Sequence, residues 1–237
     1  MTKPVKKRLL PLLIVGVMTL VLCLCLVSAL PVLTMRWFAP PTSAFMLQTA
    51  WQDKHPVYIW VDSEAISPQA GLAVIAAEDQ TFPQHHGFDL LQIQASIYAW
   101  RQGDDLRGAS TISQQVAKNL FLWPGRNIGR KGLEAWFTVL IELFWPKQRI
   151  LEMYLNIAEF GPGIHGVEAA SQQYFGIPAA ELNADQAALL AAVLPNPKLL
   201  SVSTPSDYVK NRQHWILQQM HQLGGTDYLT RLLPDNP

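Results

Sequence analysis

Cysteine is nearly absent from this chain, which has two among its 237 residues. Cys23 and Cys25 both lie in one apolar run, and at this spacing a helix directs them to different faces. The rest of the chain has no cysteine, which excludes a disulfide framework. A domain of this size can stand on its own hydrophobic core without disulfides. Cysteine therefore gives no clue to the chemistry.

Charge is missing from the same run. Residues 9–35, "LLPLLIVGVMTLVLCLCLVSALPVLTM", contain no Asp, Glu, Lys or Arg. An α-helix crosses the hydrocarbon core of a membrane with about 20 apolar residues, so this run is long enough to span one. A cleaved signal peptide is the alternative, because "VSA" before Leu30 resembles a cleavage site. The apolar core of a signal peptide is only about 7–15 residues long, so we predict an uncleaved anchor.

The residues before the anchor carry positive charge only. They include Lys3, Lys6, Lys7 and Arg8. The positive-inside rule then keeps the N-terminus in the cytoplasm and exports the rest. We therefore expect a cytoplasmic basic tail at 1–8, a single-pass membrane anchor at 9–35, and an exported domain at 36–237.

The exported part is mildly acidic as a whole but contains a basic region. Four of the 18 basic residues lie in the tail, which leaves 14 against 18 acidic ones, so no nucleic-acid partner is expected. Between positions 107 and 149 the balance reverses, with only Glu134 and Glu142 as acids. The basic residues there are Arg107, Lys118, Arg126, Arg130, Lys131, Lys147 and Arg149. This favours an anionic ligand, the alternative being a solvated basic face.

Alternating β pattern is also scarce, and the sequence predicts a mainly α-helical domain. Only "VYIWVD" at 57–62 is typical of a strand. Ser67-Pro68 predicts the start of a helix that runs to about Glu78. Further helices are predicted at 110–120, 130–145 and 147–160, and another after Asn183, which has Gln186 three positions on as in a capping box. "GPGIHG" at 161–166 predicts a glycine-rich turn.

Acidic residues cluster where the helix at 68–78 ends. Glu78 closes an apolar run, so its carboxylate is partly desolvated and its pKa is expected to rise towards the range useful for proton transfer. Asp79 and Asp89 are suited to ordering the following loop through backbone N–H groups. The alternatives are an ordinary solvated helix end and a metal site. His85 and His86 are adjacent and point apart, which makes a zinc site the weaker reading.

Polar and basic residues recur at helical spacing further along. In "STISQQVAKNL" the amides of Gln114 and Gln115 stand one turn from Lys118, which suits sugar hydroxyls or a phosphate. In "RNIGRKGLE" Arg126 and Arg130 are one turn apart, a spacing that can clasp a diphosphate. Each has a simpler alternative, a solvated helix face in the first case and a structural Arg130–Glu134 pair in the second.

Five segments in order resemble the motifs of the peptidoglycan glycosyltransferases, the family that polymerises lipid II and forms the N-terminal half of bifunctional penicillin-binding proteins. They are "EDQTFPQHHGFD", "GASTISQQVAKNL", "RNIGRKGLE", "KQRILEMYLN" and "FGPGIHGVEAASQQYFG". The resemblance covers roughly residues 45–205. The departures are Pro83, Ala109 and Ser113, where the family commonly has an aromatic residue, glycine and threonine. No Ser-x-x-Lys or Lys-Thr-Gly occurs, which indicates a monofunctional member without transpeptidase activity.

The resemblance implies a lysozyme-like helical fold and a role for each motif residue. Glu78 corresponds to the general base that deprotonates the GlcNAc 4-hydroxyl of lipid II, Asp79 to its supporting acid, and Glu134 to a second catalytic carboxylate near the donor diphosphate. The diphosphate-binding and substrate-binding positions are Lys118, Arg126, Arg130, Lys131, Ser110, Thr111, Gln114, Gln115 and Asn119. Positions with structural roles are Phe82, His85, Gly87, Asp89, Glu152, Tyr154 and Asn156.

The resemblance also implies the location, the reaction and its partners. The anchor would lie in the bacterial inner membrane and the domain at 36–237 in the periplasm. The growing undecaprenyl-diphosphate-linked glycan is transferred to lipid II with inversion, which forms a β-1,4 bond and releases undecaprenyl diphosphate. No cofactor is tightly bound, and a Mg²⁺ or Mn²⁺ ion between Glu134 and the diphosphate is left open. The expected partners are lipid II, the nascent glycan chain, membrane lipid and other cell-wall synthesis or division proteins. The alternatives are a lysozyme-type peptidoglycan-cleaving enzyme, which needs no diphosphate clasp, and a non-catalytic envelope scaffold.

Overall fold

The computed structural model describes residues 9–52, 55–103, 110–125 and 127–232. The chain divides into two units, one ending at Ala39 and one starting at Pro40. In the first unit, helix α1 (Leu9–Thr34) contains an apolar stretch of 24 residues, Pro11–Thr34. By length and composition this helix is able to cross a membrane, which is consistent with a single-pass anchor.

The second unit is mainly α-helical, as predicted. Its helices are α2 (Ala44–Trp51), α3 (Pro68–Glu78), α4 (Leu90–Arg101), α5 (Ile112–Phe121), α6 (Ile128–Phe144), α7 (Lys147–Ile157), α8 (Val167–Phe175), α9 (Ala184–Val193) and α10 (Asp207–Gln222). Short 3₁₀ turns lie at Ser63–Ala65 and Ala179–Glu181, and a longer C-terminal 3₁₀ segment at Gly225–Leu232. The strands are β1 (Val57–Tyr58), β2 (Glu159–Gly161) and β3 (Ile164–His165).

Helix α3 forms the centre of the core. Every residue from 70 to 76 is buried, as expected for a helix that is apolar on all sides, and α3 packs against α7, α9 and α10. Its predicted start is confirmed, because the Ser67 hydroxyl caps it by accepting from the Gln69 N–H. The capping box predicted for Asn183 and Gln186 is confirmed at the start of α9. The buried α3 ends at Glu78 and thereby fixes the position of that carboxylate.

The strand predicted over 57–62 is wrong beyond Tyr58. The Val61 N–H donates to Asn156 Oδ1 at 3.0 Å, and Asn156 Nδ2 donates to the Val61 carbonyl at 2.9 Å. The Ser63 N–H donates to Glu152. These groups are satisfied by side chains of α7, so they pair with no strand.

The segment predicted as a glycine-rich turn is a small hairpin. Strand β3 lies in the middle of a three-stranded sheet, parallel to β1 and antiparallel to β2. Strands of two and three residues are too short to show the alternation by which strands are recognised in a sequence. The helix predicted over 147–160 consequently ends at Ile157, because Glu159 and Phe160 belong to β2.

Capping residues set the starts of the two helices that carry the polar and basic motifs. Thr111 caps α5 and forms a capping box with Gln114, so this helix starts at Ile112. The Asn127 side chain accepts from the Arg130 N–H at 2.7 Å, so α6 starts at Ile128 and ends at Phe144. Helix α5 buries an apolar face made of Ile112, Val116 and Leu120.

Candidate active site

Glu78 lies at the end of α3 with its carboxylate held from two sides. The Gln115 amide donates to Oε2 at 2.9 Å, and an Arg212 guanidinium nitrogen lies 3.3 Å from Oε1. The Glu78 side chain is 15% exposed, so water or a substrate reaches only part of it. Burial raises the pKa of Glu78 above its usual value, against the opposing effects of Gln115, Arg212 and Lys118.

Tyr154 fixes the orientation of the amide that contacts Glu78. Its hydroxyl donates to Gln115 Oε1 at 3.2 Å, which leaves the amide nitrogen of Gln115 to donate to Glu78. Tyr154 is almost fully buried, and burial raises the pKa of its phenol well above the ordinary value. The phenol therefore stays protonated and remains a donor at neutral pH.

Asp79 joins the loop after α3 to the start of α5. Its carboxylate accepts from the Ile112 N–H at 3.0 Å and from His85 Nε2 at 2.9 Å. His85 Nδ1 in turn accepts from the Gly87 N–H at 3.2 Å. Both ring nitrogens of His85 are thus engaged in the loop itself, and the histidine has no free nitrogen for a metal ion.

Gly87 and Asp89 shape the end of this loop. Gly87 has φ +84°, and a Cβ there would lie 2.6 Å from Thr138 Cγ2, so only glycine fits. Its carbonyl accepts from the Thr111 hydroxyl at 2.7 Å. Asp89 caps α4 by accepting from the Gln92 N–H at 2.9 Å. Burial acts to raise the pKa of Asp89, but hydrogen bonds from Thr81 and Gln92 outweigh it and the pKa is lowered.

A cavity of about 400 Å³ lies beside α5 and α6. Its lining residues are Phe45, Ser110, Gln114, Gln115, Lys118, Pro124, Gly125, Arg130, Lys131 and Glu134. Gln115 thus borders the cavity and also donates to Glu78. The cavity brings together seven of the residues to which the sequence assigned catalysis or substrate binding.

Glu134 is a buried acid that pairs with two of the cations lining this cavity. It is 2% exposed; Oε2 accepts from Arg130 at 2.8 Å, and Oε1 is paired with Lys131. Lys131 is half exposed, whereas Arg130 is buried. Lys118 lies 5.6 Å from the centre of the Phe45 ring, and burial lowers its pKa, with Glu134 acting in the opposite direction.

The remaining predicted site residues have structural surroundings. Thr111 is buried in its capping box, and within the described part of the chain Asn119 Oδ1 has no hydrogen-bond partner. Phe82 is fully buried, with Lys147 Nζ 4.4 Å from the centre of its ring. Glu152 pairs with Arg149 at 2.8 Å. Arg126 lies outside the described residues.

Sequence reasoning missed Arg212 and Phe45. Arg212 reaches Glu78 from α10, 134 residues further along the chain, and no motif of that helix marks it. Phe45 contributes an aromatic wall from α2. A single arginine or phenylalanine on an amphipathic helix carries no local signal, so only the folded structure identifies either residue.

Comparison with known proteins gives one consistent result. Residues 46–221 match the family model described as Transglycosylase. The chain is 57% identical over 211 residues to the biosynthetic peptidoglycan transglycosylase of Chromohalobacter salexigens, covering 86% of this chain and 90% of the relative. It is 53% identical over 224 residues to that of Stutzerimonas stutzeri, covering 92% and 93%. It is 54% identical over 211 residues to that of Pseudomonas fluorescens Pf-5, covering 86% and 88%.

Proposed function

Since the chain belongs to the transglycosylase family, we propose that it polymerises peptidoglycan glycan strands from lipid II. The donor is the growing strand linked to undecaprenyl diphosphate, and the acceptor is the GlcNAc 4-hydroxyl of lipid II. The observation that carries the proposal is a partly desolvated carboxylate, Glu78, whose hydrogen-bond donor Gln115 lines a cavity that is also lined with cations.

Glu78 acts as the base in this reaction. As the acceptor hydroxyl attacks the donor carbon, its proton passes to Glu78, and the bond from that carbon to the diphosphate oxygen breaks. A single in-line displacement converts the α-linked donor into a β-1,4 product, so inversion follows without a protein nucleophile. Its raised pKa brings Glu78 closer to the operating pH, which favours general-base catalysis.

The cations stabilise the leaving diphosphate. Lys118, Arg130 and Lys131 line the cavity, and the sequence adds Arg126. Preorganised cations aimed at developing negative charge are the main source of catalysis in such transfers. Among the described residues Arg130 Nε finds no acceptor, so its guanidinium keeps an unused donor in addition to its bond with Glu134.

A Mg²⁺ or Mn²⁺ ion held by Glu134 fits this cavity poorly. Glu134 is the only acid in the described lining, and both of its oxygens are already paired with Arg130 and Lys131. Divalent ions take carboxylate oxygens, which this set does not leave free. We propose instead that Glu134 orients the two cations and that the chain itself neutralises the diphosphate.

The experiment that tests this function is incubation of the purified chain with lipid II in detergent or liposomes. We expect β-1,4-linked glycan strands and released undecaprenyl diphosphate, with activity retained in excess chelator. Because no Ser-x-x-Lys occurs in the 237 residues, the strands should remain uncross-linked and the activity insensitive to penicillin. Cleavage of preformed peptidoglycan would instead support the lysozyme-type enzyme. A chain that neither polymerises lipid II nor cleaves peptidoglycan would support the non-catalytic scaffold. Loss of activity in chelator would overturn the metal-free proposal.

We further propose that α1 anchors the chain in the inner membrane with the second unit in the periplasm, where the lipid-linked substrate is presented. Alkaline phosphatase, which is active only after export, should be active when fused after Pro237. Replacing Lys3, Lys6, Lys7 and Arg8 by Gln should lower that activity, because the charge bias that sets orientation is lost. An inactive wild-type fusion at normal expression would contradict the orientation. Partners among other cell-wall synthesis or division proteins stay a prediction.

A further inference from the structure

The C-terminal 3₁₀ segment lies outside the family match yet packs against the helix that carries the base. The match ends at residue 221, and the segment begins at Gly225. It contacts α3 and buries Tyr228 and Leu232 to 4% and 6% exposure. Leu229 packs close to Gly71 of α3. The end of the described chain is thus part of the core around α3.

Tyr228 forms a hydrogen bond with the main chain two residues after Glu78, the proposed base. Its hydroxyl donates to the Gln80 carbonyl at 2.6 Å, and Gln80 is two residues after Glu78. The Gln80 side chain donates to the Ala76 carbonyl and to Gln219 Oε1 of α10, each at 3.1 Å. Main chain and side chain of Gln80 are therefore fixed from the C-terminal part of the chain.

The Tyr228 phenol remains a donor at neutral pH. Burial raises its pKa above the ordinary value, against the nearby Arg231, whose guanidinium carbon lies 4.5 Å from the ring centre. The Gln80 carbonyl lies just beyond the end of α3, where carbonyl groups no longer have helical partners. The Tyr228 hydroxyl supplies that missing partner.

We propose that Tyr228 is a positioning residue for Glu78, a role that rests on the proposed function. The bond from Tyr228 to Gln80 keeps the end of α3 closed around Glu78, so that the carboxylate stays partly desolvated and within reach of the acceptor hydroxyl. Geometry of this kind controls the rate steeply, since a misplacement of about 1 Å can cost about 10²-fold. Tyr228 itself touches no reacting atom.

Tyr228→Phe tests the proposal by removing only the hydroxyl. The change removes the bond to the Gln80 carbonyl and the hydroxyl's interactions with Arg231 and Gln84. The bond to Gln80 corresponds to about a 2- to 10-fold change, and we expect kcat for lipid II polymerisation to fall by about that factor with KM unchanged. A loosened loop hydrates Glu78, and desolvation is the main cause of its raised pKa, so the acidic limb of the pH–rate profile should move to lower pH. The matched control is Tyr208→Phe, the same change at a tyrosine of α10 that is 56% exposed.

The outcomes separate positioning from packing and from the proposed function itself. If Tyr228→Phe melts at a lower temperature but keeps wild-type kcat and the wild-type acidic limb, Tyr228 only contributes to packing and the inference is overturned. A wild-type chain that fails to polymerise lipid II would count against the proposed function instead. Circular dichroism at the assay temperature shows that both variants are folded when their rates are compared.

Discussion

Glu78→Gln is expected to lower the rate of glycan polymerisation by about 10²- to 10⁴-fold, the range that a positioned general base contributes. The amide keeps the size of the side chain and can still accept the Gln115 hydrogen bond through its oxygen, but it cannot take a proton. The assay is the initial rate of strand formation from purified lipid II. Near-normal rates would remove Glu78 from the role of base. The control is Glu181→Gln, which removes an exposed carboxylate that belongs to none of the five motifs and does not line the cavity.

The loss of activity should come without loss of stability. The pKa of Glu78 is higher in the folded chain than in the unfolded one, so the folded state binds its proton more tightly. The charged carboxylate is therefore penalised on folding at pH values above its folded-state pKa, and the penalty fades as the pH falls through that pKa. Glu78→Gln removes the penalty and also the Arg212 ion pair, so the melting temperature at neutral pH should change little. A variant that does not fold would leave the rate comparison meaningless, and circular dichroism checks this first.

Local sequence signals were sufficient for the end of α3 but not for its surroundings. Ser67-Pro68 and the apolar run that follows predict a buried helix ending at Glu78, because capping and burial depend on neighbouring residues. The desolvated state of Glu78 follows from the same pattern. Arg212, by contrast, is 134 residues away from Glu78 along the chain, and the two side chains meet only in the folded structure. No pattern in the sequence around either residue predicts this contact.

The acids and histidine of the loop show where local reasoning leaves a choice open. Judged by residue type alone, the loop that contains Asp79, His85 and Asp89 fits a metal site, a solvated turn or a catalytic loop equally well. The structure shows His85 bonded to Asp79 and to Gly87, with Asp89 capping α4. A histidine can serve as ligand, donor or acceptor, and its partners across the loop decide which.

Glu134 gives the second large expected effect, on stability as well as activity. Glu134→Gln leaves buried Arg130 without a counter-charge, and breaking a buried ion pair typically costs about 3–5 kcal/mol. We expect the free energy of unfolding in urea to fall by about that amount. The polymerisation rate should fall by about 10²-fold, because Arg130 and Lys131 lose the group that orients them.

Inorganic diphosphate separates the counter-charge role from a direct role in the chemistry. In Glu134→Gln the cations of the cavity lack their acid, so a bound diphosphate replaces the missing negative charge. It should therefore raise the melting temperature of this variant more than that of the wild type, since a ligand that binds only the folded state stabilises it.

The matched control is Glu142→Gln, also on α6, whose carboxylate is 7% exposed and paired with Lys147 at 2.8 Å. Glu142 does not line the cavity, so its variant should lose stability without any added gain from diphosphate. If diphosphate stabilises the two variants equally, Glu134 is not the counter-charge of the diphosphate-binding cations.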